Sequence, residues 1–191
     1  RVLFRSFLQN YLNDGTTTIV NDTPGLMSEV KDKLTTAPWR FYRIGTWELG
    51  DSLALEKESG QAQALIKEFS PLTNAVLELK TKSDCVDPIL NLEHNKRTVV
   101  SWSMNPAYII DKQEHRTASL EERLIAIEKV VKAGYLVGIH FDPMIYYANW
   151  EADYIDLVQQ IFSRIPVEQI AWISFGSLRF NPEMKIGRAH V

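Results

Sequence analysis

Residues 119–143, SLEERLIAIEKVVKAGYLVGIHFDP, carry the pattern that decides the fold. Leu120, Leu124, Ile127 and Val131 recur at helical spacing, which places them on one face of a helix over Leu120–Lys132. Ser119 and Glu122 form a Ser-x-x-Glu capping box, and Gly134 is the residue type that stops a helix in left-handed backbone. The spacing then changes to that of a strand over Leu136–Phe141, closed by Asp142-Pro143.

Working outward, the same alternation recurs. Strands are predicted at Thr16–Val20, Phe41–Trp47, Ala75–Thr81, Thr98–Met104 and Ile170–Ser177. A second strong helix is predicted over Trp150–Ile165, with Ile155, Val158, Ile161, Phe162 and Ile165 as its apolar stripe, Asn149 as N-cap and Pro166 as stop. Weaker helices fall at Leu26–Leu34 and Gln61–Phe69. About six strand–helix repeats predict an α/β fold of parallel strands, open or curled into a barrel, and without a closing seventh and eighth unit a partial (β/α)6 TIM-like barrel.

Composition agrees with one globular domain. The chain has 191 residues, 45% of them hydrophobic, with 21 Lys+Arg against 24 Asp+Glu, which excludes disorder and collagen-like repeats. No apolar run approaches the about 20 residues of a spanning helix, so no membrane partner is expected. A single thiol, Cys85, excludes an internal disulfide and a multi-thiolate metal site built from this chain alone, and points to a reducing, cytoplasmic setting.

The two ends read differently from the rest. Ile186–Val191 can be encoded by a stretch whose reverse complement, read two bases in, encodes Arg1–Arg5 and begins the Ser6 codon, the signature of a sequencing adapter met from both sides. Residues 1–6 and 186–191 are therefore expected to be scars, the domain to be 7–185, and the natural protein to continue past both ends. Without Arg1, Arg5 and Arg188 the balance is 18 basic against 24 acidic residues, a net charge of −6.

In parallel α/β folds the chemistry lies beyond the C-terminal ends of the strands. Here those ends read Gly45-Thr46-Trp47-Glu48, Thr81-Lys82-Ser83-Asp84, Ser101-Trp102-Ser103-Met104-Asn105, His140-Phe141-Asp142 and Ser177-Leu178-Arg179. Such a mouth suits a zwitterionic, hydroxyl-rich small molecule: Lys82 on a carboxylate, Glu48 on a ribose diol or ammonium, Ser103 and Asn105 completing the hydrogen bonds. Several of these residues also have a plainer reading. Asn105 before Pro106 opens turns, His140 is equally a hydrogen-bonded strand histidine, Asp142-Pro143 ends a strand, and Tyr146, Tyr147 and Trp150 are equally core aromatics or a stacking platform for a flat ring. Arg179 is either an anion anchor or a surface pair. Glu56-Lys57-Glu58 and Glu121-Glu122-Arg123 read as solvated helix faces, and Cys85 as an inert thiol.

Phe7-Leu8-Gln9, the segment 41–55, Lys80-Thr81-Lys82, residues 100–105, Gly138-Ile139-His140-Phe141-Asp142-Pro143, Tyr146, Trp150 and Arg179-Phe180 together resemble the spore photoproduct lyase family of radical S-adenosylmethionine (SAM) proteins. The resemblance implies a Cys-x3-Cys-x2-Cys loop just upstream of Phe7, holding a [4Fe-4S] cluster, so that no metal is held by this chain and the isolated chain is inactive. It implies reductive cleavage of SAM to a 5′-deoxyadenosyl radical for hydrogen abstraction, with an electron donor such as flavodoxin or ferredoxin and a nucleic-acid base lesion as substrate class. It further implies that Lys82 and Ser103 contact the SAM carboxylate, that Thr46 and Glu48 lie near the ribose or substrate, and that His140, Asp142, Tyr146, Trp150 and Arg179 border the substrate pocket.

One departure bears on the reaction. Gly45 stands where the sporulation enzymes carry a hydrogen-donor cysteine, which leaves the catalytic hydrogen donor open: either the substrate is bulkier there, or a tyrosine such as Tyr146 or the regenerated SAM quenches the radical. A net charge of −6 also gives no global basic footprint for DNA. The alternative class is a non-redox α/β-barrel protein binding a nucleotide-like small molecule.

Overall fold

The computed structural model describes residues 22–46 and 50–177. Within them the elements run α1 (Thr23–Thr36), β1 (Tyr42–Gly45), α2 (Glu56–Ser59), α3 (Gln61–Phe69), β2 (Ala75–Thr81), β3 (Thr98–Ser103), α4 (Ala107–Gln113), α5 (Leu120–Lys132), β4 (Leu136–Met144), α6 (Trp150–Arg164) and β5 (Ile170–Ser177). The five strands form one sheet in the order β1-β2-β3-β4-β5, each pair parallel, curled into a half-barrel. The partial TIM-like barrel expected from the alternation is therefore the fold observed, with five parallel strands among the described residues. The strand expected at Thr16–Val20 lies outside them.

Strand residues alternate between the two faces of the sheet. Leu77 and Leu79 of β2, Val100 and Trp102 of β3, and Val137 and Ile139 of β4 are buried in the core shared with Leu65, Ile66 and Phe69 of α3, Leu124 and Ile127 of α5, and Leu157 and Ile161 of α6. Each such side chain contributes roughly 1.5–3 kcal/mol of burial. The residues between them in sequence point to the concave inner face, and these are largely polar.

Local chemistry explains the boundaries. Ser119 Oγ accepts from the Glu122 backbone N–H at 3.3 Å while the Glu122 carboxylate accepts from the Ser119 N–H at 2.8 Å, the reciprocal cap expected of this pair. Gly134 takes φ +88°, a backbone state that a side chain would strain. Asn149 does occupy the N-cap position of α6, but its amide donates to Asp153 Oδ1 at 2.7 Å instead of capping the helix.

Other expectations are corrected. Asp142-Pro143 does not end β4: the strand continues to Met144 past a register shift against β5. Glu56 is not solvated; it is 1% exposed and accepts from the N–H groups of Ala62 and Gln63, at 2.8 and 3.0 Å, so it caps α3 from the preceding short helix. Arg123 is not solvated either, because it lies on the same helical face as Leu120, Leu124 and Ile127 and is fully buried.

Candidate functional site

Strand register sets the predicted side chains side by side. Lys80 pairs with Ser101, Ser101 with Gly138 and Gly138 with Trp172, so these four form a row across β2, β3, β4 and β5. Two residues further along each strand, Ser103 pairs with His140 and His140 with Ser174, and Lys82 follows Lys80 by the same step. Lys82, Ser103 and His140, three of the residues singled out in the sequence, are thereby brought to one edge of the inner face, at the C-terminal mouth.

Lys82 is fixed at three points. Its backbone N–H donates to Asp51 Oδ2 at 2.7 Å, its carbonyl accepts from the Ala118 N–H at 3.0 Å, and its ammonium pairs with Glu114 Oε1 at 3.1 Å. The Lys82 side chain keeps 27% of its surface exposed, whereas that of Glu114 keeps 1%. Asp51 also accepts from the Thr81 hydroxyl at 2.6 Å and from the N–H groups of Leu53 and Ala54, which folds the loop after β1 onto the end of β2. A cavity of about 310 Å³ borders Lys82 and is lined also by Asp51, Ser83, Arg116 and Thr117.

Behind Lys82 lies a buried ionic cluster. The guanidinium of Arg123 donates to Glu114 Oε2 at 2.6 Å, the Thr117 hydroxyl at 2.8 Å, the Ser103 carbonyl at 2.8 Å and the Ala118 carbonyl at 2.9 Å. Asn105, 1% exposed, donates to Glu114 Oε1 at 2.9 Å and accepts from the Tyr154 hydroxyl at 2.6 Å. Burial works to raise the Glu114 pKa, but the charges of Lys82 and Arg123 and the hydrogen bonds outweigh it and hold the carboxyl below the usual carboxylate value. Asn105 is therefore held between Glu114 and Tyr154 beneath the mouth.

A second cluster occupies the inner face one layer deeper, around Glu78. This carboxylate, wholly buried in mid-strand, accepts from Arg43 Nε at 2.7 Å and Ser101 Oγ at 2.8 Å, and from the Trp172 indole at 3.2 Å. His140 Nε2 lies 2.8 Å from the same carboxylate, and its Nδ1 lies 2.5 Å from Ser174 Oγ. The Arg43 guanidinium also sits over the Trp172 ring, 4.1 Å from its centroid. Burial opposes ionisation of Glu78, but the hydrogen bonds from His140, Ser101 and Arg43, with the Arg43 charge, bring its pKa down to about 2. His140 is thus a held strand histidine facing the inner surface.

The remaining predicted residues are dispersed. Thr46 bonds the Ser52 hydroxyl at 2.9 Å, and that hydroxyl accepts from the Lys80 N–H, so Thr46 braces the loop after β1. Asp142 packs against Gly176, where a Cβ would overlap its carboxylate. Tyr146 is 85% exposed, and its ring lies 6.1 Å from that of Trp150, which in turn lies 6.4 Å from Tyr154. Gly45 lies in register with Glu78 at the end of β1. Glu48 and Arg179 lie outside the described residues.

Sequence reasoning missed Glu78, Asp51, Glu114 and Arg123. Glu78 had a signal, since it is the one acid inside the apolar run Ala75-Val76-Leu77-Glu78-Leu79. Arg123 had one too, at a position on the apolar face of α5.

The family described as "Spore photoproduct lyase" matches residues 6–183. Curated relatives of that name include those of Clostridium acetobutylicum (27% identical over 61% of this chain and 35% of the relative), Geobacillus sp. (32% over 52% and 29%) and Bacillus subtilis strain 168 (29% over 66% and 37%). The chain therefore spans about a third of the length of the curated relatives it matches. Similar solved structures include a spore photoproduct lyase mutant with bound AdoMet and dinucleoside spore photoproduct, at TM-score 0.86 and 22% identity over 94% of this chain and 54% of that one. Another, complexed with dinucleoside spore photoproduct, matches at TM-score 0.84 and 23% identity over the same shares. A match over nearly the whole chain, joined to the same half-barrel architecture, places it: the chain belongs to the spore photoproduct lyase family.

Proposed function

We propose that this chain is the part of a radical SAM enzyme that carries the carboxylate-binding edge of the SAM site, in a full-length protein that abstracts hydrogen from a nucleic-acid base lesion or a related ring substrate. The observation that carries the reading is the placement of Lys82 and Ser103 at one edge of the inner face, with the Lys82 side chain 27% exposed and its ammonium 3.1 Å from a Glu114 that Arg123 also pairs. A cation and a hydroxyl so placed fit the carboxylate of an amino acid. The bound cofactors would supply a carbon-centred radical able to abstract hydrogen. The chain's own residues would bind and orient: Lys82 and Ser103 on the carboxylate, Thr46 and Glu48 on the ribose or substrate, and Tyr146 and Trp150 offering ring faces to a flat substrate. His140, Asp142 and Arg179 would be the residues that meet the substrate.

The residues present do not fit a [4Fe-4S] cluster. Cys85 is the chain's only thiol, and among the described residues no group of three His, Cys, Asp or Glu side chains could hold a metal ion. The ligands would come from a segment upstream of Phe7, and the electron from a donor such as flavodoxin or ferredoxin in a cytoplasmic setting. No helix among the described residues is long and apolar enough to cross a membrane.

The test is an anaerobic preparation of the full-length protein. It should be brown and, once reduced, convert SAM to 5′-deoxyadenosine, while the 191-residue chain should do neither. Full-length protein with no cluster and no SAM turnover would leave the binding of a nucleotide-like molecule as the function of the mouth.

A further inference from the structure

We infer that Glu114 is a positioning residue for cofactor binding, acting through Lys82, and that Arg123 joins Lys82 and Ser103 into one pre-set unit. The inference rests on the reading that Lys82 takes the SAM carboxylate.

The geometry leaves Lys82 little freedom except in its side chain. Asp51 and Ala118 fix its backbone from both sides, and Arg123 Nε in turn holds the Ala118 carbonyl at 2.9 Å. A lysine stem has about 2 kcal/mol of rotamer entropy to lose when its ammonium is held in one place. Glu114 Oε1, 3.1 Å from Nζ, removes that freedom before any ligand arrives. Glu114 can do so because it is itself immobile: Asn105 holds the same oxygen at 2.9 Å, and Arg123 holds the other at 2.6 Å.

Arg123 extends the unit to the neighbouring strand end by binding the Ser103 carbonyl at 2.8 Å. One guanidinium thus braces both residues proposed to meet the carboxylate, from α5. Glu114 and Arg123 neutralise each other in the interior, and the ammonium presented at the mouth is that of Lys82.

The decisive variant is Glu114→Asp, which keeps the charge and retracts the carboxylate by one methylene, so that position is tested and net charge is not. In cluster-loaded full-length protein the dissociation constant for SAM, measured by anaerobic equilibrium titration, should rise about tenfold, by analogy with the low end of what losing a group that orients a metal ligand costs in metal affinity. The constant for decarboxylated SAM, which offers Lys82 nothing, should stay within twofold. In a Lys82→Met background, Glu114→Asp should have no further effect on SAM. If Glu114→Asp unfolds the protein, seen as a lost thermal transition, Glu114→Gln keeps the length and should show the same selectivity between the two ligands. Equal weakening of SAM and its decarboxylated analogue, or no weakening of SAM where Lys82→Met does weaken it, would overturn the positioning role. No effect of Lys82→Met would instead overturn the carboxylate reading, and the inference with it.

Discussion

Glu78→Gln tests whether the carboxylate buried in mid-strand is the fixed point of the inner face. The carboxyl has a pKa of about 2 in the folded protein against an ordinary 4.5, so the folded state favours its ionised form. Each pH decade between those values is worth about 1.4 kcal/mol, and the network contributes about 3 kcal/mol above pH 5. Because the folded value is the lower one, the contribution is complete above 4.5 and lost as pH falls towards 2. The substitution keeps the shape, and at low pH the protonated acid resembles the amide. Urea unfolding at several pH values should therefore place Glu78→Gln about 3 kcal/mol below the native protein at pH 7, narrowing to about 1 kcal/mol by pH 3. A gap that stays constant from pH 7 to pH 3 would refute the ionised hub, since it would mean that the charge on Glu78 adds nothing beyond packing.

Gly138→Ala should cost about 1–3 kcal/mol in thermal unfolding, because a Cβ there would overlap Ser101 Oγ and the Trp172 indole nitrogen. Ser119→Ala removes the reciprocal cap of α5 and should cost about 1 kcal/mol by the same measurement. On the proposed reading, the full-length protein should cleave SAM but repair spore photoproduct poorly in an anaerobic dinucleoside assay, and Gly45→Cys should not install efficient repair; the added thiol would stand in register with Glu78, whose arginine, histidine and tryptophan partners also shape that surface.

The fold was legible because the signals that specify it are local. The Ser119 capping box, the apolar stripe of α5 and the stop at Gly134 gave Leu120–Lys132 to the residue, and Ala75–Thr81 and Ile170–Ser177 were equally well marked by β-branched and apolar runs. The site was legible only at strand ends. Lys82, Ser103 and His140 follow from the rule that chemistry gathers beyond the C-terminal edge of a parallel sheet. Their supports do not follow from it. Glu78 lies in the middle of a strand, and its five contacts come from β1, β3, β4 and β5, a convergence that only the register reveals. Glu114 follows the end of α4, and nothing in its neighbours announces a buried carboxylate. Arg123 lies within a run of charges that reads as a solvated face, although its spacing from Leu120, Leu124 and Ile127 places it inside.

The two faces of the sheet carry separate burdens. The outer face is apolar and closes against α3, α5 and α6, so the apolar core of the half-barrel lies on that side. That frees inner positions for polar side chains, but a buried polar group must find partners, and in this chain small residues make them reachable. Gly138 lets the Trp172 indole and the Ser101 hydroxyl both reach Glu78. Gly176 gives Asp142 a place to lie flat. Glu78 then holds His140 from below while Ser174 holds it from the side, just as Glu114 and Arg123 hold Lys82 and Ser103 from behind. Two buried carboxylates, each immobilised by an arginine, thus set the row of side chains at the mouth before anything binds there, and a ligand meeting that row has little ordering left to impose.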